Sequence, residues 1–389
     1  MHGILLTSAK SLSGGVRQAV YLAEGLRQAG HDIWFVCPPS GSTRDLVESL
    51  AIRHAALPSS LWKTNALLRG LMPTGEPAFV HGFHNRGVKL VAYLGTYWRA
   101  LGLPVACIAH RGVTSRPGNP LPYVLPGIRA YAVNSTACAD TLPLFWRKKR
   151  CHVVNNAIPT SRITPARSPL EMRTKLGIPA GNRIIGNVSN DNPQKGTGRA
   201  ITAFANMVNR ATGTSGESRL PASTLVVVGV TPEKWMPFCE QLGIAHRVRL
   251  IPPVAHVADY MQLMDVLIFP SMFIESQPNV ILEAVAMGIP TIASDIGGIR
   301  DCIPDSCLFD PRNEQEMTTK LIALLQNEPL LRDAARTNIA QGDNYTMERK
   351  IEHMTHIYEA ALAEAVCPPF SKRTIFTFAK HRDVPGHSS

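Results

Sequence analysis

Apolar positions in this chain fall into short continuous runs, separated by stretches in which they recur at helical spacing. Residues 3–7 form one such run. A loop of small residues covers 8–15, and Val16, Ala19, Val20, Ala23 and Leu26 then repeat with a helical period over 16–29. Gly30 stops that helix and 33–37 is the next strand. Short apolar runs bounded by turn residues suit strands buried on both faces of a parallel sheet, and their alternation with helices predicts doubly wound α/β architecture. The same pattern predicts strands over 79–84, 105–109, 131–134 and 151–156, with a Pro- and Gly-rich loop over 112–126. After a short helix over 170–176, a second series opens with a strand over 182–188. It continues with a helix over 199–210, a polar loop over 211–221, and strands over 225–229 and 247–251. Helices are expected over 320–325, 330–339 and 347–365.

One segment departs from this routine. Residues 265–298 read DVLIFPSMFIESQPNVILEAVAMGIPTIASDIGG: a strand ended by Pro270, a loop, Pro278 at a helix start, a helix over 280–287, Gly288 as its stop, then a strand over 291–293 and a turn. Every neighbour of Glu283 in that helix is apolar. A helix apolar all round is buried, and an ionised carboxylate within it is costly unless paired. Glu275 lies eight positions earlier, in the loop. The N–H groups around Gln277 to Val280, Asn279 among them, are helix-start donors and make an anion site. Two carboxylates able to accept from hydroxyls therefore flank a place for phosphate, and a nucleotide sugar offers both kinds of group. A plainer reading pairs Glu283 with a buried arginine and leaves Glu275 as a loop charge.

Other candidate groups lie where strands end. Gly14 and Gly15 open the first helix, where backbone N–H groups come close to an anion. The loop is neither a Walker loop nor G-x-G-x-x-G. His110 follows the strand over 105–109, at the carboxyl end, where ligands bind in open α/β sheets. His81 and His84 are weaker candidates. The loop Ser189-Asn190-Asp191-Asn192-Pro193-Gln194-Lys195-Gly196 precedes the helix over 199–210.

Composition narrows the class. With 389 residues, 45% hydrophobic and 18% charged, the chain suits two folded domains. No apolar run is long enough to span a membrane, and MHGILLTSA suits a first strand better than a signal peptide. The eight cysteines show no C-x-x-C pair and read as free thiols of a cytoplasmic protein. Neither zinc-ligand spacing nor an Asp-x-Asp dyad is present, so no metal is expected. Residues 1–160 hold 17 lysines and arginines against 6 acidic residues, so the whole formal net charge of +11 lies there. Leu142, Leu144, Phe145 and Trp146 beside Arg147, Lys148, Lys149 and Arg150 suit a membrane interface. Without a recognisable module, nucleic-acid binding by the basic half is the weaker alternative.

The segment Pro270-Ser271, Glu275, Glu283-Ala284, Gly288-Ile289-Pro290 resembles the E-x7-E region of retaining glycosyltransferases of family 4, which have the GT-B fold. The Gly14-Gly15 loop and the Lys195-Gly196 pair resemble two further motifs of that family, and Asn156-Ala157-Ile158-Pro159 its linker entry. The sequence departs from the family pattern in Glu275-Ser276-Gln277-Pro278-Asn279 for the commoner E-G-F-G form, in Asn190 where an arginine is usual, and in Ala157 for glycine. The resemblance implies two Rossmann-like domains facing across a cleft. Residues 1–165 would form the acceptor side and 166–345 the nucleotide-sugar side, with a helix over 346–366 crossing back and a basic tail over 367–389. It implies metal-independent, retaining transfer of a glycosyl group from a nucleotide-diphosphate sugar to an acceptor hydroxyl, such as that of a cell-envelope glycolipid or polysaccharide precursor. Lys195, with N–H groups at Asn279 and Val280, would hold the diphosphate, together with Gly14, Gly15 and Asn190. Glu283 would bind the ribose, Glu275 would orient the donor sugar, and His110 would contact that sugar from the facing domain. Arg199 is a candidate to replace the missing arginine. A sugar-nucleotide epimerase of the same fold, or a scaffold weakened by Asn190, are the rival readings.

Overall fold

The computed structural model describes residues 1–142, 150–211, 220–273 and 275–366. The polar segment 212–219, most of the aromatic-basic run and the tail over 367–389 lie outside the described residues.

Thirteen described strands form two parallel sheets. The first holds β1 (His2–Thr7), β2 (Asp32–Cys37), β3 (His54–Ala56), β4 (Ala78–Phe83), β5 (Val105–Arg111), β6 (Ile128–Val133) and β7 (Cys151–Val153), in the order β3-β2-β1-β4-β5-β6-β7. The second holds β8 (Arg183–Val188), β9 (Ser223–Val228), β10 (Val248–Ile251), β11 (Val266–Phe269), β12 (Thr291–Ser294) and β13 (Leu308–Phe309), in the order β10-β9-β8-β11-β12-β13. Both orders reverse at one point, between β1 and β4 and between β8 and β11. Ligands bind at such points because the connections on either side diverge and leave a crevice at the strand ends.

The two-residue period of a strand sends alternate side chains to opposite faces, and the cores follow it. Leu5, Phe35 and Phe79 pack on one side of the first sheet, with Ile4, Leu6, Val36 and Val80 on the other. Ile185, Leu225 and Val227 alternate in the same way with Ile184, Val226 and Val228 in the second sheet.

After the second sheet the chain returns to the first. The helix Met347–Val366 inserts Met354, Ile357, Tyr358 and Ala361 among Leu5, Phe35 and Phe79. The Tyr358 ring stacks on Phe79 at 3.8 Å between centroids, and its hydroxyl lies 2.7 Å from His81 Nδ1. His81 is therefore a core group. Burial, with His110 and Lys350 nearby, holds its imidazole well below its ordinary range.

Two boundaries differ from the sequence pattern for a physical reason. The strand expected over 151–156 ends at Val153, because Asn155 and Asn156 bond to Gln277 of the other sheet's loop instead of to β6. His84, expected in a strand, opens the helix His84–Ala100 at φ +61°. A bond of 2.9 Å between its Nδ1 and Thr7 Oγ1 holds it there.

Lys350 on the returning helix is 4% exposed, and no described carboxylate pairs with it. Its Nζ donates to Gln18 Oε1 at 2.6 Å, and burial pushes the amine down to about 7 from an ordinary 10.5. Because the folded pKa is the lower one, the unfolded chain binds more protons between these values, and Lys350's contribution to stability rises with pH across that window. Lys350→Met should therefore be more stable than the parent at pH 7, with an advantage that shrinks toward pH 10. Denaturation midpoints of both proteins across this range check it. Comparing the two cancels ionisation of the buried cysteines, and a constant difference would mean that Lys350 is not buried as a cation.

Candidate active site

The polar loop after β8 folds on its own side chains. Asn190 Oδ1 accepts from the Asn192 N–H at 3.1 Å, and Asn192 Oδ1 accepts from the Gln194 N–H at 3.0 Å. Asp191 anchors the loop by accepting from Thr231 N–H and Trp235 Nε1–H. Small amide and carboxylate side chains close turns this way, and here they deliver the single helical turn Pro193–Lys195. Gly196 follows at φ +71°, and a Cβ there would lie 2.1 Å from the Pro270 carbonyl oxygen. Glycine at this position lets the lysine loop lie against the loop after β11. Lys195 Nζ consequently donates to Glu275 Oε1 at 2.6 Å, and Ser271 Oγ donates to the same oxygen at 2.7 Å. Gly297 does the equivalent on the far side, at φ +55°, where a Cβ would collide with the Glu275 carbonyl.

Beyond Glu275 begins the helix Asn279–Ala286, and Pro278 at its N-cap offers no capping side chain. The Ile281 N–H bonds the Pro278 carbonyl, and the N–H groups of Asn279 and Val280 are left for a ligand. They open on a cleft between the sheets, lined on this side by Lys195, Glu275, Asn279 and Val280 and on the other by Ser13, Gly14 and Gly15. Gly14 is close to Asn279, and Gly15 to His84.

The residues that depart from the E-G-F-G form tie the cleft together. Ser276 Oγ bonds Asn134 Oδ1 and lies 3.3 Å from Ser135 Oγ. Gln277 accepts from the Asn156 N–H through Oε1 and from Asn156 Nδ2 through its carbonyl, and its own Nε2 donates to Asn155 Oδ1 at 3.0 Å. Asn279 Oδ1 accepts from Gln18 Nε2 at 3.1 Å. Ser276 and Gln277 of this loop and Asn279 at the helix start therefore reach the first sheet's half of the molecule.

Glu283 lies one turn deeper on the face of Asn279, 2% exposed. It is not among the residues lining the cleft. Its Oε1 accepts from Arg162 Nε at 3.0 Å and Nη2 at 2.7 Å. Burial pushes the Glu283 carboxyl up, and the Arg162 charge counters it. Burial would lower Arg162 as well, but Glu283 outweighs that and holds the guanidinium above its ordinary value. The arginine-paired reading of Glu283 is thus the arrangement the structure contains. Glu283 Oε2 takes no bond from Arg162.

From the first sheet, His110, the last residue but one of β5, faces a cavity beside the cleft with Phe83, His84 and Asn134. Its ring stacks on Phe83 at 4.7 Å, and Nδ1 has no partner. Burial and the nearby Lys350 push it down to about 3, so it is a neutral imidazole at pH 7.

Lys195, Glu275, Asn190, Gly14, Gly15, Asn279 and Val280 thus share one cleft, His110 lines its neighbour, and Glu283 sits behind. Arg199 does not join them. Its Nε bonds Glu314 at 3.2 Å, and its guanidinium points toward Pro270 and Met272. Asn190 spends its side-chain oxygen on the turn. Sequence reading missed Gln18, Asn134, Asn156, Gln277 and Arg162. Each is a polar residue beside an apolar run, and the one available signal was the cluster of amides at 155–156 and 277–279.

Comparison with known proteins agrees with this geometry. Residues 12–162 match the family described as Glycosyltransferase Family 4, and residues 182–327 that described as Glycosyl transferases group 1. This chain belongs to glycosyltransferase family 4. The D-inositol 3-phosphate glycosyltransferase of Segniliparus rotundus is 26% identical over 208 residues, covering 51% of this chain and 44% of that protein. The chain spans about half the length of the curated relatives it matches. The fold is shared with Anabaena Alr3699/HepE in complex with UDP, at TM-score 0.78 and 16% identity over 92% of this chain and all of that one. The complex of the same Anabaena protein with UDP-glucose gives 0.75 and 15%, at the same coverage of both chains. The fold of this family member is therefore GT-B.

In this family member the Arg162–Glu283 pair joins the linker to the helix under the cleft, and removing one partner strands the other. Arg162→Ala should destabilise the fold by about 3 kcal/mol, and adding Glu283→Gln should recover most of that loss. Urea midpoints of the single and double variants check this; a double variant as weak as the single one would show that charge is not the cause.

Proposed function

We propose that the protein transfers a glycosyl group, with retention, from a nucleoside-diphosphate sugar to an acceptor hydroxyl, and that it needs no metal. The observation that carries this reading is the Lys195–Glu275 pair beside an uncapped helix start, facing Gly14 and Gly15 across the cleft. A cation and first-turn N–H groups in one place suit a diphosphate leaving group, whose charge grows as the glycosidic bond breaks. Donors fixed in advance at such a point stabilise the transition state more than the ground state. Glu275 fixes Lys195 through one oxygen and can orient a donor-sugar hydroxyl. Neutral His110, which lines the cavity beside the cleft, can bond another hydroxyl from the facing domain. With Oε1 held by Arg162, only Glu283 Oε2 is left to accept from a ribose hydroxyl, and that hydroxyl must reach past Asn279 to the residue behind the cleft. The Anabaena neighbour's complexes with UDP and UDP-glucose support a donor of this class.

The acceptor enters from the first domain. A cell-envelope glycan or glycolipid precursor is our reading, with peripheral docking on the membrane's inner face through the basic half. The relatives' name, which specifies inositol 3-phosphate, makes a small polyol the second choice. Among the described residues no helix is long and apolar enough to cross a membrane. An epimerase of the same fold would release free sugar without an acceptor.

Lys195→Ala should lower kcat about 10²- to 10³-fold with little change in donor KM, because it acts on charge that develops in the transition state. Glu283→Ala should mainly raise donor KM. Nucleoside-diphosphate release from a panel of nucleotide sugars measures both, and EDTA should leave the rate unchanged. Wild-type kinetics in both variants would sink these roles, and activity lost to EDTA but restored by magnesium would overturn the metal-free reading.

A further inference from the structure

A third cavity continues from the cleft into the first domain. The donor cleft shares Ser13, Gly15, Gly112, Asn134 and Asn156 with the cavity beside His110. That cavity in turn shares Asn85, Val88, Arg111, Val113 and Tyr123 with a pocket that also holds Lys89 and Arg116. No aspartate or glutamate lines this last pocket, and none of its three cations has an ion-pair partner among the described residues.

Arg111 is the unusual member. It is 3% exposed, at the carboxyl end of β5 next to His110. Its Nε donates to Thr141 Oγ1 at 2.6 Å, Nη1 to the Tyr123 hydroxyl at 3.1 Å, and Nη2 to the Ser115 carbonyl. All three partners are neutral. A guanidinium has five N–H donors, so two remain. The Tyr123 hydroxyl accepts from Arg111, which leaves its own proton free to donate. A buried cation without a counter-charge is costly, and a ligand anion in the pocket would supply that charge. Lys89 and Arg116, both exposed, stand at the same pocket and can close over it.

We propose that the pocket of Lys89, Arg111, Arg116 and Tyr123 is an acceptor subsite for a phosphate monoester, and that the acceptor hydroxyl belongs to a phosphorylated polyol or sugar. The phosphate sits in this pocket, the ring to which it is esterified passes His110, and the reacting hydroxyl reaches the donor cleft. Its role as an acceptor subsite rests on the glycosyl-transfer reading above.

The test is calorimetric titration of the full chain with inorganic phosphate and D-inositol 3-phosphate, with inositol as the uncharged control. The wild type, Lys89→Ala/Arg116→Ala and Lys195→Ala are compared. The phosphorylated probes should bind the wild type and inositol should not. The double variant should lose about tenfold in affinity for D-inositol 3-phosphate, the scale of a charge-assisted contact, while Lys195→Ala, which alters the donor cleft, should keep that affinity even where inorganic phosphate loses a second site there. Both altered side chains are exposed, and an unchanged melting temperature confirms an intact fold. D-inositol 3-phosphate binding lost in Lys195→Ala but kept in the double variant would place the phosphate in the donor cleft and overturn the proposal, as would inositol binding as well as its phosphate. Phosphatidylcholine vesicles with and without phosphatidylinositol phosphate separate the sources: recovery that needs Lys89 and Arg116 assigns a lipid headgroup, and binding of soluble probes alone assigns a free sugar phosphate. Failure of both arms removes the subsite. Nucleotide-sugar binding is measured on the same proteins; if it fails while phosphate binding holds, the transfer reading falls and the anion site stands.

Discussion

Four segments meet at one buried amide. Gln18, 1% exposed on the first helix, donates through Nε2 to the Ala157 carbonyl and to Asn279, and accepts through Oε1 from the Ala157 N–H and from Lys350. The linker, the helix that starts at the donor cleft and the returning helix are all bonded to this one side chain. A buried amide needs both donor and acceptor partners, and only a carboxamide side chain supplies this set of two donated and two accepted bonds. The position of the cleft walls is thus set at Gln18, and the residues that face a ligand lie within a turn or two of it: Gly14 and Gly15 before it, Asn279 across from it.

The same logic explains why the loop after β11 departs from the commoner family form. Glycines and phenylalanine at those positions would leave the backbone free to approach a donor but would offer no side-chain partner to Asn134, Asn155 and the Asn156 N–H. Ser276 and Gln277 instead satisfy those amides. Buried polar networks of this kind hold one geometry when every member is paired. The cleft is held by hydrogen bonds between neutral groups, which weaken little with salt, so its two walls keep their register while the charges of Lys195 and Glu275 remain for chemistry.

Legibility from sequence followed range. The longer apolar runs of both sheets were readable because a strand buried on both faces needs nothing else to declare itself; the short edge strands β3 and β13 were not. The Glu275–Glu283 spacing was readable because a carboxylate in an apolar helix is conspicuous. What bonds that carboxylate was not: Arg162 lies 121 positions away, in a segment whose local pattern is unremarkable. Gln18, Asn134 and Arg111 were missed for the same reason. A polar residue at a strand end or on a helix face looks solvated until the element packed against it is known. The end of β7 at Val153 also depended on distant partners, since local pattern alone would carry the strand to Asn156.

The distribution of charge then acquires a structural meaning. In the donor half acidic and basic residues balance, and it holds paired cations: Lys195 with Glu275 in the cleft, Arg162 with Glu283 behind it and Arg199 with Glu314 outside it. A diphosphate binding there meets a cation already held in place, so little ordering entropy is lost on binding. In the first half the excess is positive, and Arg111, Lys89 and Arg116 there, like Lys350 on the helix that returns to it, have no carboxylate partner among the described residues. Lys350 lowers its cost by releasing its proton, since an amine buried without a counter-ion titrates near neutrality. A guanidinium has no such escape, because arginine stays protonated in proteins. Arg111 must therefore be compensated by dipoles or by an anion. Its three neutral partners supply dipoles on one side, and the side facing the cavity is left to the ligand.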